Sequence, residues 1–151
     1  MFGFGRGKII VSIQKTSYAP GDVISGNVAL TLKKPVRAKE LSISLIGTGK
    51  LAPYDTGEGT THSLSWERIY EFKQHLDGER EYSEGREYHF EVEIPTDILT
   101  RHFRPKRSRA FTLTSKGFKE VPFGEKKWYL LAKLDIPRGL DISKKVDIRI
   151  G

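Results

Sequence analysis

Apolar and polar residues alternate along seven segments of the chain. Val28, Leu30 and Leu32, for example, are separated by polar or small residues, and Leu41, Ile43 and Leu45 follow the same rule. Successive side chains of a strand point to opposite faces, so each segment predicts a strand with one buried and one solvated face. No stretch of ten or more residues shows a 3.6-residue period. The pattern therefore predicts an all-β fold with very little helix.

Turn-forming residues separate these segments. Pro20-Gly21 is typical of a type II turn, and Lys34-Pro35, Asp77-Gly78 and Pro137-Arg138-Gly139 mark further turns. Half-buried strands with short connections favour antiparallel sheets, and two packed sheets give an immunoglobulin-like antiparallel β-sandwich. We expect residues 1–151 to form a single such domain. The side chains predicted to lie in its core are Trp66, Phe72, Phe90, Trp128, Leu130 and Leu134.

Two segments interrupt the alternation. Leu51–Ser63 is rich in Gly, Thr and Pro and predicts a surface loop. A longer insertion at about 99–125 exceeds the usual length of a loop in a compact domain, which indicates a functional or disordered segment. Within it, Ala110–Thr114 has strand-like character and predicts a short extra strand or hairpin.

Positive charge is concentrated in that insertion. The formal net charge is +7, and residues 96–127 hold nine Lys and Arg against three acids, so they carry six of the seven charges. A localised basic patch indicates an anionic or acidic partner. A solvated loop, or one paired with acidic strands of its own domain, is the alternative. The candidate contacts are Arg101, Arg104, Lys106, Arg107 and Arg109, with Phe103 and Phe111 interleaved as apolar contacts.

The sequence offers little catalytic chemistry. Cys is absent, the four His are far apart, and no Ser lies in a Gly-x-Ser-x-Gly motif. Gly47-Thr48-Gly49-Lys50 resembles part of a phosphate loop, but Ser44 and Leu51 stand where the motif needs Gly and Ser or Thr. We therefore predict no catalytic residue, no metal site, no cofactor and no small-molecule substrate.

Four ordered segments resemble the amino-terminal domain of the arrestin superfamily, which includes the alpha-arrestins and an arrestin-like retromer subunit. They are Tyr18–Val28 with its Tyr-Ala-Pro-Gly-Asp start, Val36–Gly47, Gly85–Pro95 and Trp128–Ile136. Together they extend over nearly the whole chain. The resemblance implies a non-catalytic adaptor sandwich that binds other proteins, often at membranes, in trafficking or signalling.

The chain departs from that family in three respects. Family members carry two such domains, whereas this sequence has one, and no buried charge cluster of the classical kind is identifiable. Lys15 is followed by Thr16 where classical arrestins have the Lys pair that senses phosphate, so Lys15 is only half of that candidate anion site. Phe2 and Phe4, flanked by glycines, are candidate apolar contacts to a second copy or a second arrestin-like chain.

Two functional hypotheses follow. The first is a protein-interaction adaptor, which is expected to form a homo-oligomer or a hetero-complex. The alternative is an anion-binding module whose basic loop binds nucleic acid, phosphorylated partners or an acidic membrane surface weakly and without sequence preference. The two differ in their response to salt, because phosphate neutralisation is far more salt-sensitive than an apolar interface.

Location and source are also expectations at this point. No apolar run approaches the ~18 residues of a membrane span, and no apolar segment of signal-peptide length follows Arg6. We therefore expect a cytoplasmic protein, including one bound peripherally to a membrane. The chain has one Asn, two Gln, one Met and no Cys, and this scarcity of thermolabile residues favours a thermophilic source.

Overall fold

The computed structural model is all-β throughout the part of the chain that it describes. That part contains twelve strands and no helix. The described residues are 7–51, 66–83, 85–100, 111–114, 117–120 and 123–151. In chain order the strands are β1 (Gly7–Ile13), β2 (Ser17–Tyr18), β3 (Val23–Leu32), β4 (Val36–Ala38), β5 (Glu40–Leu51), β6 (Trp66–Asp77), β7 (Arg80–Tyr82), β8 (Glu87–Glu93), β9 (Phe111–Thr114), β10 (Gly117–Glu120), β11 (Phe123–Asp135) and β12 (Ile142–Ile150).

Two sheets form the sandwich. One has three strands in the order β1-β3-β8, and the other has five in the order β2-β12-β11-β5-β6. The short pairs β4–β7 and β9–β10 stand outside these two sheets. The predicted sandwich is confirmed, with one difference: β2 pairs with β12 in parallel, placing Ser17 opposite Arg149. The hairpin of β9 and β10 confirms the strand predicted within Ala110–Thr114.

The core lies between the inner faces of the two sheets and follows the predicted alternation. Phe90, Leu130 and Leu134 are at most 1% exposed, and Trp128 is 5% exposed, as predicted. The indole of Trp128 lies across Gly47, its register partner in β5, and a Cβ on Gly47 would stand 2.3 Å from that ring. A glycine at this point therefore makes room for the largest side chain of the core.

The prediction that Trp66 and Phe72 lie in the core is wrong. They are 39% and 45% exposed, and both belong to β6, the edge strand of the five-stranded sheet. Ile69 has no partner in β5 and forms a bulge, which reverses the alternation of faces along β6. Tyr70, after the bulge, lies opposite Gly47 on the inner face, whereas Trp66, before it, lies opposite Lys50 on the outer face. Phe72 does face inward, opposite Leu45, but the narrower three-stranded sheet leaves this edge partly uncovered.

The turn between β2 and β3 has the predicted geometry. Gly21 has a φ of 91°, and the Asp22 N–H donates to the Ala19 carbonyl at 3.0 Å, which together define the type II turn. The Asp22 carboxylate also accepts the Ala19 N–H at 2.9 Å. The loop predicted over Leu51–Ser63 lies outside the described residues from position 52 onward.

Candidate interaction site

Most of the predicted contact residues lie outside the described part of the chain. Phe111 begins β9, where its backbone pairs with Glu120, but its side chain is not among the described atoms. These predictions therefore stay predictions. The others outside the described residues are Phe2, Phe4, Arg101, Phe103, Arg104, Lys106, Arg107 and Arg109.

Lys15 lies in the short connection between β1 and β2 and is held by its own domain. Its Nζ is 3.5 Å from the Asp22 carboxylate and 5.1 Å from the centroid of the Tyr18 ring. The Tyr18 hydroxyl donates to the Lys15 carbonyl at 2.8 Å. The Ala19 N–H, with a smaller contribution from Lys15, lowers the pKa of Asp22 below its usual value. The Lys15 charge is thus already compensated by an adjacent carboxylate.

A second group of cations surrounds a groove of about 600 Å³ where β5 begins and β11 ends. We call it the cationic groove. One wall is the connection from β3 into β4, and the other is the connection from β11 to β12. Its lining residues are Lys34, Pro35, Val36, Arg37, Ile136, Pro137 and Arg138.

Backbone and carboxylate contacts position both walls of the groove. The Lys39 N–H donates to the Asp135 carbonyl at 2.8 Å, which joins the end of β4 to the end of β11. The Asp141 carboxylate accepts the Ile136 N–H at 2.9 Å and pairs with Lys133 at 3.4 Å. The loop that carries Arg138 is therefore tied to β11 at both of its ends.

The groove combines an apolar floor with positive charge that has no ion pair among the described residues. Lys34, Arg37 and Arg138 are exposed, and none of them forms an ion pair with another described residue. No acidic side chain lines the groove within the described residues. Glu81 stands opposite Arg37 in the β4–β7 ladder without an ion pair to it, and Asp141 is engaged by Lys133. An anionic group with apolar neighbours matches this surface.

Sequence reasoning missed the groove. Its cations come from two stretches about a hundred positions apart, and both lie outside the basic segment 96–127. Lys34-Pro35 and Pro137-Arg138-Gly139 were visible only as turns. The sequence signal for the groove is that each of these two turns has a proline next to a cation. Only the folded structure shows that the two turns lie side by side.

A partly buried charge network at the β6–β7 turn was also missed. The Asp77 carboxylate accepts from the Tyr88 hydroxyl at 2.7 Å, the Gly78 N–H at 2.8 Å and Arg80 Nη1 at 3.3 Å. Partial burial raises the pKa of Asp77, but the two hydrogen bonds and the Arg80 charge outweigh it and leave this pKa below its usual value. Burial raises the pKa of the neighbouring Tyr82 to about 12. The network ties the turn to β8, so its role is structural.

The outer face of the five-stranded sheet pairs aromatic rings with cations. Lys127 Nζ lies 4.5 Å from the centroid of the Trp66 ring, Lys50 Nζ lies 5.9 Å from it, and Lys145 Nζ lies 4.4 Å from the Tyr129 centroid. Cations over exposed rings are attracted by the ring quadrupole. These lysines are thus engaged within the domain, whereas the groove cations have no such contact among the described residues.

The described residues offer neither a metal centre nor a membrane-spanning helix. They contain no cluster of three His, Asp or Glu side chains arranged to hold a metal ion. No helix among them is long and apolar enough to cross a membrane.

Similarity to known proteins agrees with this architecture. No known protein-family profile matches the chain. Over 72 residues it is 38% identical to the pH-response regulator protein palF/RIM8 of Eremothecium gossypii, an alignment that covers 42% of the chain and 13% of that protein. The structure matches Spo0M, a sporulation control protein of Bacillus subtilis, with a TM-score of 0.62 and 18% identity over 97% of the chain. The chain has an arrestin-like β-sandwich fold.

The chain spans only part of the length of both proteins that it matches. It spans half of Spo0M, and the aligned region is about an eighth of palF/RIM8. The match to Spo0M shows the fold, in agreement with the four sequence segments that resemble the arrestin superfamily. The cationic groove lies at the margin of this fold, on the β3–β4 connection, the start of β4 and the β11–β12 connection.

Proposed function

We propose that this arrestin-like domain is a non-catalytic protein-interaction module that acts as an adaptor. The observation that carries the proposal is the arrestin-like fold together with 38% identity to part of a pH-response regulator. Arrestin-like proteins act by holding other proteins, and the name of this relative describes a regulator. We further propose that the domain works in signalling or trafficking, in the cytoplasm or at the periphery of a membrane.

The surface of the domain supports a binding role. The cationic groove presents three cations without ion pairs in the described part of the chain, beside a floor of apolar side chains. Exposed charge beside apolar area is what a peptide of complementary composition can bury. The groove therefore supports a role in non-covalent binding, through charged and apolar contacts.

A pull-down from an extract of the source organism tests the proposal. The immobilised domain is exposed to extract at salt concentrations of about 50 mM and about 300 mM, a range over which electrostatic binding changes strongly. Each retained protein is identified and then titrated in pure form by calorimetry. We expect at least one pure protein to bind with saturable, defined stoichiometry. A domain that is folded by circular dichroism, yet binds no pure protein at either salt concentration, contradicts the adaptor role.

The same titration separates the adaptor from the anion-binding alternative. Binding through phosphate neutralisation falls steeply with salt, whereas an interface with an apolar component retains most of its affinity. Sedimentation of the purified domain at micromolar concentration independently tests the homo-oligomer that the sequence analysis expects. A concentration-dependent dimer supports a second copy as the partner, and a 17.2 kDa monomer at all concentrations contradicts it.

A further inference from the structure

We propose that the cationic groove binds a short acidic peptide segment of a partner protein, one that places an apolar side chain between carboxylates. The inference rests on the proposed adaptor function, because it names the chemistry of the segment that the adaptor holds. Three observations carry it: the apolar floor, the cations that have no ion pair within the described part of the chain, and the dimensions of the groove.

The floor of the groove favours an apolar side chain in the ligand. Val36 and Ile136 lie at its base, 7% and 6% exposed and anchored in the core. The exposed side chains of Pro35 and Pro137 line the groove beside them, so the apolar surface that a ligand can cover belongs mainly to these two prolines. Leu140 extends from the same β11–β12 connection and is 88% exposed. An apolar side chain laid on this floor is removed from water, which is favourable in proportion to the area removed.

The rim of the groove favours carboxylates. Lys34 and Arg37 lie on one wall and Arg138 on the other, so cations face the groove from both sides. The guanidinium groups of the two arginines can each bind a carboxylate through two parallel hydrogen bonds. Since these cations have no ion pair within the described residues, an incoming carboxylate displaces no partner among those residues.

The dimensions and lining favour a peptide over a nucleic acid. A volume of about 600 Å³ lies within the range of clefts that bury a few side chains. Recognition of single-stranded nucleic acid uses aromatic side chains on which bases stack, and none of the residues that line the groove is aromatic. A duplex, in turn, is held by a continuous row of cations rather than by an apolar floor.

Fluorescence anisotropy with a labelled eight-residue peptide of alternating glutamate and leucine tests the proposal. The whole chain is titrated against this peptide, and against a peptide in which serine replaces each leucine. The groove variant carries Lys34→Gln, Arg37→Gln and Arg138→Gln. We expect its affinity to be at least about tenfold weaker, because three carboxylate contacts are removed together. The serine peptide should bind at least about fivefold more weakly, since it leaves the apolar floor exposed.

A matched control removes the same charge from the opposite end of the sandwich. Lys126, Lys145 and Arg149 line a second cavity, where β11 begins and β12 ends. The variant Lys126→Gln, Lys145→Gln, Arg149→Gln should keep the wild-type affinity within about twofold. An equal decrease in both variants would show that binding follows net charge alone, and this overturns the proposal. Equal binding of the leucine and serine peptides overturns it as well.

Two further outcomes are decisive. A short DNA duplex that displaces the glutamate–leucine peptide at lower concentration, and does so through the three groove cations, makes the groove a polyanion site and overturns the peptide assignment. If neither peptide binds while a pure protein still binds the wild type and the groove variant equally, the adaptor function stands and the groove assignment falls. If no pure protein binds either, the adaptor function falls separately.

Discussion

The two tryptophans of the five-stranded sheet have opposite environments. Trp128 lies in β11, with β12 and β5 on either side, and is 5% exposed against Gly47 and the edge of the Tyr70 ring. Trp66 lies at the start of the edge strand β6, 39% exposed on the outer face, between Lys127 and Lys50. The same residue type is thus a core element in one strand and a surface element two strands away.

The difference shows that parity along a strand decides burial only where the strand is regular and both neighbours are present. The inner face of β11 is covered by the facing sheet, so its alternation predicts burial correctly. Among the described strands β6 has one neighbour, and its pairing has two bulges, at Ile69 and Leu76, each of which changes which parity points inward. Alternation is therefore a reliable guide at the centre of this sheet and a poor one at its edge.

The largest expected effect is at the central tryptophan. Trp128→Ala should lower the free energy of unfolding by about 3–5 kcal/mol, because it removes a buried indole and leaves a cavity above Gly47. Trp66→Ala, the same change at the edge, should cost less than about 1 kcal/mol, since its ring is partly solvated already. Urea denaturation of both variants measures the difference, and equal effects would contradict the contrast between centre and edge.

The glycine beneath Trp128 gives the next largest effect. Gly47→Ala should cost about 1–3 kcal/mol, since the new Cβ would stand 2.3 Å from the indole and the ring must shift. Gly78→Ala is the matched control, because the nearest described atoms to its Cβ lie 3.9 Å away in the His75 ring. Thermal unfolding compares the two. A Gly47→Ala variant as stable as the control would show that the indole relaxes freely.

The Asp77 network should give an intermediate effect that depends on pH. Tyr88→Phe removes the 2.7 Å hydrogen bond to a charged carboxylate and should cost roughly 1–2 kcal/mol at neutral pH. The pKa of Asp77 is lowered in the folded state, so its contribution is fully present above the usual Asp pKa of about 4 and disappears as pH falls through the folded-state pKa.

The control for this network is Tyr129→Phe, since the Tyr129 hydroxyl makes no hydrogen bond within the described residues. Denaturation from about pH 7 down to about pH 2 should show the cost of Tyr88→Phe shrinking below about pH 4. The Tyr129→Phe variant should track the wild type throughout. A cost of Tyr88→Phe that is independent of pH would mean that the carboxylate is not part of the interaction.

The smallest effect on stability is expected in the basic segment. Replacing Arg104, Lys106, Arg107 and Arg109 with Ser should change the free energy of unfolding by no more than about 0.5 kcal/mol per site, if these side chains are solvated. If the segment binds a polyanion, the slope of log K against log salt should shrink by about 0.9 for each duplex phosphate that the variant no longer neutralises. Binding to duplex DNA, single-stranded RNA and acidic vesicles, measured beside the wild type, tests this.

Strand positions and the central core were predictable because they depend on local alternation. Phe90, Leu130 and Leu134 were predicted correctly for this reason, as was the type II turn at Pro20-Gly21. Trp66 and Phe72 were not, since a bulge and a missing neighbour leave no trace in the alternation itself. An edge strand therefore resembles a central strand in sequence, because the number of neighbours of a strand depends on pairing with distant parts of the chain.

The candidate site was less predictable than the fold. Net charge over a window pointed to residues 96–127, whereas the cations of the cationic groove come from residues 34–37 and 138, in the nearly neutral remainder. Their proximity depends on the pairing of β5 with β11, which joins segments about ninety positions apart. Charge density along a sequence and charge density on a surface are therefore separate quantities.

The bulges of β6 have a consequence for the behaviour of the protein in concentrated solution. A long, flat edge strand offers unpaired N–H and C=O groups to any other chain and promotes aggregation. Ile69 and Leu76 interrupt β6 at two points within its twelve residues, so no long regular ladder is available at this edge. The same irregularities that obscure the strand in the sequence protect the folded domain from edge-to-edge polymerisation.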